Sequence, residues 1–333
     1  MSVTLRDVAA KSGVSSVTVS RALNNSGYVS EKVRQRIAMA VAELNYVPNS
    51  VASSLRSKRT RLLALLLPDI TNPFWTTVAR SVEDAATEQG YAVILCNTDE
   101  DPSKEGRYIE LLLRRRIDGL IVGPTNESFE SLKRLMQHGV HFVLVDRRVE
   151  GLSVDCVKSD SYDGAHQVTR HLLETGHKRI AIITGPMTVP TSKDRVAGYV
   201  AAHQACGSAI NDKLIFVGSY CQSWGFKAAS DLLSGNPCPD AIFAANSLIA
   251  LGVLEAARTL NLRIPDDIAL VSFDELPQII VANRFLTSVI QPSEDMGRLT
   301  IRLLLDRLAN PDRAIQEITL PVKLLIGTSC GCS

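Results

Sequence analysis

The sequence predicts a small all-α helix-turn-helix head joined to an α/β body of two Rossmann-like lobes with parallel sheets. Three observations carry that prediction. "DVAAKSGVSSVTVSRALNN" (7–25) holds two short helical patterns around a glycine. Basic charge is concentrated in residues 1–61, and the rest of the chain alternates apolar runs with helical stretches, twice over.

In the head, Thr4 caps a first helix, with Asp7 three residues on to close a capping box. Val8, Ala9 and Ser12 follow at helical spacing, and Gly13 takes the turn because a left-handed backbone costs glycine nothing. Ser15 caps a second helix carrying Val19, Ala22 and Leu23. In a helix-turn-helix the second helix enters the DNA major groove and its first residues reach base edges; here these are Ser16, Val17 and Thr18, with Arg21 one turn later. Residues 1–61 carry ten Lys/Arg against three acids, a net +7 in a chain of 333 residues whose formal net charge is +1. A basic head on a mildly acidic body points to a polyanionic partner for the head alone. Ser30 caps a third helix with a Val33, Ile37, Val41, Leu44 stripe, and Pro48 ends it. Asn49 caps a two-turn helix over 50–56 (Val51, Ala52, Leu55 on one face), too short to hold by itself in water.

The body begins with "LLALLLP" (62–68), an apolar run expected of a strand buried on both faces. A helix over 74–89, the strand "YAVILCNT", a helix over 103–115, the strand "GLIVGP", a helix over 128–138 and the strand "VHFVLVD" follow. The cycle restarts with helix 161–175, "RIAIITGP", helix 193–206, a strand near 214–218, helix 223–234, "AIFAA", helix 247–259 and "IALVSFD". Repeated βα units imply parallel sheets covered on both faces, and residues 285–329 are too few for a third lobe and complete the first two. The expected domains are 1–48 (head), 49–60 (hinge helix and linker) and 61–333, with lobes of roughly 61–159 plus 287–317 and 160–286 plus 318–330. Ligands of open α/β sheets bind beyond the carboxyl ends of the strands. Asp69, Asn72-Pro73-Phe74-Trp75, Asn97, Gly185-Pro186, Asn246 and Asp274 all fall there. Singly each fits a turn or a helix cap; together they outline a cleft.

The blocks "TLRDVAAKSGVSSVTVSRALNN", "VSEKVRQRI", "ELNYVPNSVASSL", "LLPDITNPFW", "VSFDELP" and "LTSVIQPSEDMG" resemble the LacI/GalR family of bacterial transcription regulators, in the family's order and over nearly the whole chain. The resemblance implies a body similar to periplasmic sugar-binding proteins, a homodimer, and a near-palindromic operator. It implies DNA contacts from Thr4, Ser15, Ser16, Val17, Thr18, Arg21, Asn24, Tyr46, Asn49, Ala52, Leu55 and Arg56. Leu55 holds the place of the leucine that wedges between base pairs in the minor groove. Many members read Ala-Arg-Ser-Leu where this chain has Ala52-Ser53-Ser54-Leu55; Arg56 stands in for part of that missing charge. The resemblance also implies effector contacts from Asp69, Phe74, Trp75, Asp160, Arg195, Tyr220, Asn246 and Asp274. The family's Asn-Asp pair is Asn246-Ser247 here, and Trp75 and Trp224 add bulk. A sugar or sugar derivative fits first, a nucleobase or nucleoside second.

Rival readings are a solute-binding receptor without gene control, an enzyme using the cleft, and a regulator docking a protein co-repressor. The basic head weighs against the receptor. For the enzyme, no nucleophile, base and orienting group emerge together, and "GTSCG" (327–331) lacks the helix and downstream residues of a nucleophile elbow. Seven scattered cysteines and no export signal imply a reducing cytoplasm and free thiols. Cys330-Gly331-Cys332 has metal-binding chemistry but lacks a second pair, so no metal or cofactor is expected. His138 and His141 read as surface residues, and no stretch reaches membrane-spanning length.

Overall fold

The structure, a computed structural model, describes residues 3–24, 26–47, 59–125, 127–276 and 285–332. The chain forms two compact units, Met1–Thr60 and Arg61–Ser333.

The first unit holds α1 (Leu5–Ser12), α2 (Ser16–Leu23) and α3 (Glu31–Glu43). The Asp7 carboxylate accepts from the Thr4 backbone N–H at 2.8 Å and from its hydroxyl at 2.7 Å, which fixes where α1 starts. Gly13, at φ 66°, ends it. Ser15 Oγ accepts from the Thr18 N–H and starts α2. Ser30 stands at the N-cap, just before α3, but its hydroxyl makes no capping bond. Val8, Val19 and Ile37 meet in a small core that Ala9, Ala22, Ala40 and Tyr46 complete. Arg34 on α3 donates to the Ala22 carbonyl, tying α3 to the last turn of α2.

The second unit is two stacked repeats of one topology. Its elements are β1 (Leu62–Leu67), α4 (Pro73–Glu88), β2 (Ala92–Asn97), α5 (Pro102–Arg115), β3 (Gly119–Val122), α6 (Phe129–Gln137), β4 (His141–Val145), β5 (Cys156–Ser159), α7 (Ser161–Glu174), β6 (Ile180–Thr184), α8 (Pro190–Ala205), β7 (Ile215–Val217), α9 (Gln222–Leu233), β8 (Ala241–Ala244), α10 (Ser247–Thr259), β9 (Ala269–Phe273), β10 (Thr287–Ile290), α11 (Ser293–Ala309), β11 (Glu317–Leu320) and β12 (Lys323–Leu325). The sheets run β11-β5-β4-β3-β1-β2 and β12-β10-β9-β8-β6-β7, the same order in both lobes. Pairing is parallel except between β10 and β12.

Alternation along the strands sorts the side chains into layers. Leu63, Leu65 and Leu67 of β1 face α4 and α11, whereas Ala64 and Leu66 face α5 and α6. In the second lobe Ile180 and Ile182 face α7 and α8, and Ala181 and Ile183 face α9 and α10. Each buried leucine or isoleucine contributes about 1.5–3 kcal/mol by leaving water. The α9–α10 pair approaches closely because Gly225 and Gly252 face each other: a Cβ on Gly252 would lie 2.2 Å from the Gln222 carbonyl oxygen. Alanine in a helix is worth roughly 0.5–1 kcal/mol over glycine, but overpacking costs typically 1–3 kcal/mol. Gly252→Ala is therefore expected to lower the urea midpoint of the body; an unchanged or raised midpoint would mean that the helices can part.

The chain crosses between lobes three times, at residues 159–161, 290–293 and 320–323. The expected lobe limits differ by a few residues. Thr287–Ile290, placed with the first lobe by sequence, pairs with β9 in the second sheet, and Ile318–Leu320, placed with the second, pairs with β5 in the first. Each crossing waits until its strand is complete. Strands β5 and β11 were not foreseen, and α8 begins at Pro190 rather than 193, with proline at the first helical position, where its missing N–H costs nothing. Among the described residues no helix is long and apolar enough to cross a membrane.

Candidate functional site

On the head, α2 buries Val19 and Ala22 and turns the opposite side outward. Val17, 60% exposed, Arg21 and Asn24 recur at i, i+4 and i+7 on that outer face. Ser15 and Thr18 share a 2.9 Å hydroxyl contact at the helix start, and Asn24 closes the other end on Ser20. Thr4 is exposed and Ser16 half-buried. Tyr46, expected among the DNA contacts, packs its ring in the core of the head. Tyr28, for which the sequence suggested no role, is 91% exposed. Asn49, Ala52, Leu55 and Arg56, with the whole expected hinge helix, lie outside the described residues.

The body contains a cleft of about 450 Å³ at the carboxyl ends of both sheets. Its first wall comes from the loop after β1 and the residues after β2 and β4. Asn72 Oδ1 accepts from the Phe74 N–H and starts α4, which sets Phe74 and Trp75 edge to face, centroids 4.9 Å apart. Asp69 folds its own loop by accepting from the Thr71 N–H and hydroxyl. Asn97 Oδ1 holds the loop from the far side through the Ile70 N–H. Behind the aromatic pair, Arg147 makes a two-pronged bond to Glu100 at 2.7 and 2.8 Å and donates to the Pro124 carbonyl.

The second wall comes from α8 and the residues after β7, β8, β9 and β10. Arg195 on α8 donates to the Ala245 carbonyl at 2.6 Å, and its guanidinium lies 3.7 Å from the centroid of the Phe273 ring. Tyr220 lies against Gly185, where any Cβ would fall 2.3 Å from its ring, and accepts from Ser192 through its hydroxyl. Asn246 starts α10 by accepting from the Ile249 N–H. Gln291, at a lobe crossing, donates to Asp274 at 2.7 Å and accepts from Ser159 on the first lobe.

The two lobes present equivalent acids. Asp146 follows β4 and Asp274 follows β9, the fourth strand of each repeat in chain order. Both adopt a left-handed backbone, φ 69° and 66°. Each N–H bonds to the next strand of its sheet, at Val157 and Val289. Both side chains are buried in the cleft. Burial pushes the Asp146 carboxyl up, against the pull of Arg147 and Arg195. It pushes Asp274 up to about 6, against the pull of Arg195. For Arg147 burial opposes the charge, and Glu100 outweighs it, so the guanidinium stays charged. Asp146 Oδ1 and Arg195 Nε are buried without a hydrogen-bond partner. A buried polar atom left so costs about 1–3 kcal/mol, more if charged, which a ligand with hydroxyl groups can recover.

Of the expected effector residues the cleft gathers Asp69, Phe74, Trp75, Arg195, Tyr220, Asn246 and Asp274. Asp160 is not among its lining; its carboxylate accepts from the Asp163 N–H and starts α7. Trp224 is also not in the lining: its ring packs on Gly218 and its N–H bonds to the Thr184 carbonyl. Asp146, Arg147, Glu100, Thr191 and Gln291 line the cleft although no sequence signal singled them out. Asp146 was within reach, because it ends "VHFVLVD" as Asp274 ends "IALVSFD".

Residues 60–328 match the family described as periplasmic binding proteins and sugar binding domain of LacI family, and residues 4–49 match bacterial regulatory proteins, lacI family. The chain is 38% identical over 325 residues to a ribose operon repressor of Halalkalibacterium halodurans, covering 97% of this chain and 96% of that one. It is 35% identical over 329 residues to the HTH-type transcriptional regulator DegA of Bacillus subtilis, covering 98% and 97%. A transcriptional regulator CelR–cellobiose complex superimposes with a TM-score of 0.74 at 31% identity, over 98% of this chain and 99% of that one. The helical head and two-lobed parallel-sheet body expected from the sequence agree with these likenesses.

Proposed function

Because the chain belongs to the LacI family of bacterial regulatory proteins, we propose that it is a dimeric repressor whose hold on operator DNA is set by a sugar or sugar derivative bound between its lobes. The observation that carries the effector class is the pair of equivalent buried acids, Asp146 and Asp274, one on each wall, with Arg195 pulling on both. A carboxylate accepts from neighbouring hydroxyls, a guanidinium donates to them, and the Phe74, Trp75 and Tyr220 rings cover an apolar sugar face. A ligand held by both walls has different affinities for open and closed lobes, and only such a difference shifts a conformational equilibrium. The names of relatives suggest D-ribose and cellobiose as first probes.

The test has two arms. Melting curves of the full chain with D-ribose, cellobiose and a purine nucleoside identify the class: a rise with a sugar supports the reading, and a rise with the nucleoside alone overturns it. The binding sugar is then titrated with and without operator, and its affinity changes by the factor by which it changes operator affinity; equal affinities sink the regulatory role.

At the head, in this reading, Ser16, Val17 and Arg21 meet base edges and the surrounding lysines and arginines meet phosphate. Selection from randomised DNA should return a dyad-symmetric site. Arg21→Ala should flatten preference at one base pair per half-site, by roughly 1–3 kcal/mol for a bidentate contact. A uniform loss across sequences would instead make Arg21 a phosphate contact.

A further inference from the structure

A third cluster lies in the second lobe, outside both sites. His171, in the last turn of α7, and Cys330 and Cys332, which follow β12, bring one nitrogen and two sulfurs within 4.8 Å of one another. His171 Nε2 lies 3.3 Å from Cys330 Sγ and 3.5 Å from Cys332 Sγ. A tetrahedral zinc ion, with Zn–S about 2.3 Å and Zn–N about 2.0–2.1 Å, places neighbouring N and S donors about 3.5 Å apart. We propose that His171, Cys330 and Cys332 bind a thiophilic divalent cation of the zinc class.

Hydrogen bonding alone accounts poorly for this convergence. A single imidazole nitrogen offers one lone pair or one proton, so it cannot bond to both sulfurs at once, although Cys330 Sγ also lies 3.4 Å from the Gly327 carbonyl. A cation serves all three. Two thiolates balance the charge of a divalent ion, and the two thiol protons leave to solvent on binding. Outer contacts fix the donors. His177 Nε2 meets the Cys330 carbonyl at 3.0 Å. The turn at Gly331, φ 81°, sends Cys330 and Cys332 to the same side. Ser329 anchors the turn, donating to the Leu270 carbonyl and accepting from the Thr287 N–H. Three protein donors leave a fourth position for water. The ion would tie α7 to the turn that Ser329 anchors on β9 and β10, the strands that precede Asp274 and Gln291.

The test uses the full reduced chain, stripped by a chelator and titrated with Co²⁺, then Zn²⁺. One Co²⁺ per protomer should give a thiolate-to-cobalt charge-transfer band and tetrahedral ligand-field bands, both erased by one Zn²⁺. Cys332→Ser and His171→Gln should weaken Zn²⁺ binding by more than the roughly 10–100-fold that loss of an orienting neighbour costs. Cys206→Ser, a change at an exposed thiol elsewhere, should leave it unchanged. Metal-free melting separates misfolding from ligand loss: the variants should melt like the stripped parent, and only the parent and Cys206→Ser should gain from Zn²⁺. Absence of the thiolate band, binding undiminished in both ligand variants, or a stripped reduced protein that takes up no metal would overturn the assignment.

Discussion

An Asp274→Asn protein is expected to melt later than its parent at neutral pH and to lose its response to effector. The folded protein holds the Asp274 carboxyl at about 6, above its ordinary 3.8, because burial penalises the charge more than Arg195 and Gln291 reward it. A group raised in this way contributes stability below its unfolded value and loses it as pH climbs through the folded one. A rise of that size corresponds to a penalty of roughly 3 kcal/mol above pH ~7. Asparagine carries no such penalty, and its Oδ1 still accepts from Gln291. The gap between variant and parent should therefore be near zero at pH ~4 and open through pH ~6. Loss of one negative charge also eases ionisation of Asp146, which Asp274 repels across the cleft. The same change removes an acceptor for sugar hydroxyls, so operator binding should persist while effector ceases to alter it. Parallel melting curves along pH would contradict the argument.

Asp155→Ala is expected to cost roughly 3–5 kcal/mol, the usual result of removing one partner from a buried ion pair. The Asp155 side chain is 1% exposed and accepts from Arg307 at 3.0 and 3.1 Å, from Arg313 at 2.9 and 3.0 Å, and from the Gln316 N–H. Without it two nearly buried guanidinium groups face each other. Burial raises this carboxyl, but the arginines outweigh burial and hold it below its usual range. Its stabilisation is thus present above the ordinary carboxyl value and lost as pH falls, opposite in sign to Asp274. Urea unfolding at neutral pH measures the loss. A cost under about 1 kcal/mol would mean that the Leu303, Pro311 and Ala314 carbonyls already satisfy the arginines.

Local signals were legible and long-range ones were not. The Asp7 box, the Gly13 turn and the Ser15 cap each act within four residues, so the head could be read directly. Runs such as Leu62–Leu67 announced central strands because both faces are buried. By contrast β5 (Cys-Val-Lys-Ser) and β11 (Glu-Ile-Thr-Leu) are short and mixed in polarity, and they are set by pairing: β5 lies between β4 and β11, and β11 pairs with residues 156–159, far from it in sequence. The cleft shows the same division. Strand-end position identified Asp274, while the Arg147–Glu100 pair joins residues 47 apart that no spacing rule connects. Asp160 was a helix cap at a position where the resemblance suggested a ligand. The two-cysteine turn lacked a partner in sequence because His171 lies 159 residues from Cys330.

The order in which the lobes are completed has a consequence for the protein's birth on the ribosome. Helix α11 closes the same core face as α4, with Leu303 and Leu304 meeting Leu63, Val78 and Val82. Yet α11 is made about 200 residues after α4. At roughly 5–20 residues per second that face waits about 10–40 s for its cover. The second lobe is translated entirely within that interval except for β12 and the turn that follows it. Nascent chains halted before Ser293 should therefore expose an apolar surface that chaperones and proteases recognise, although most of both sheets has already been synthesised.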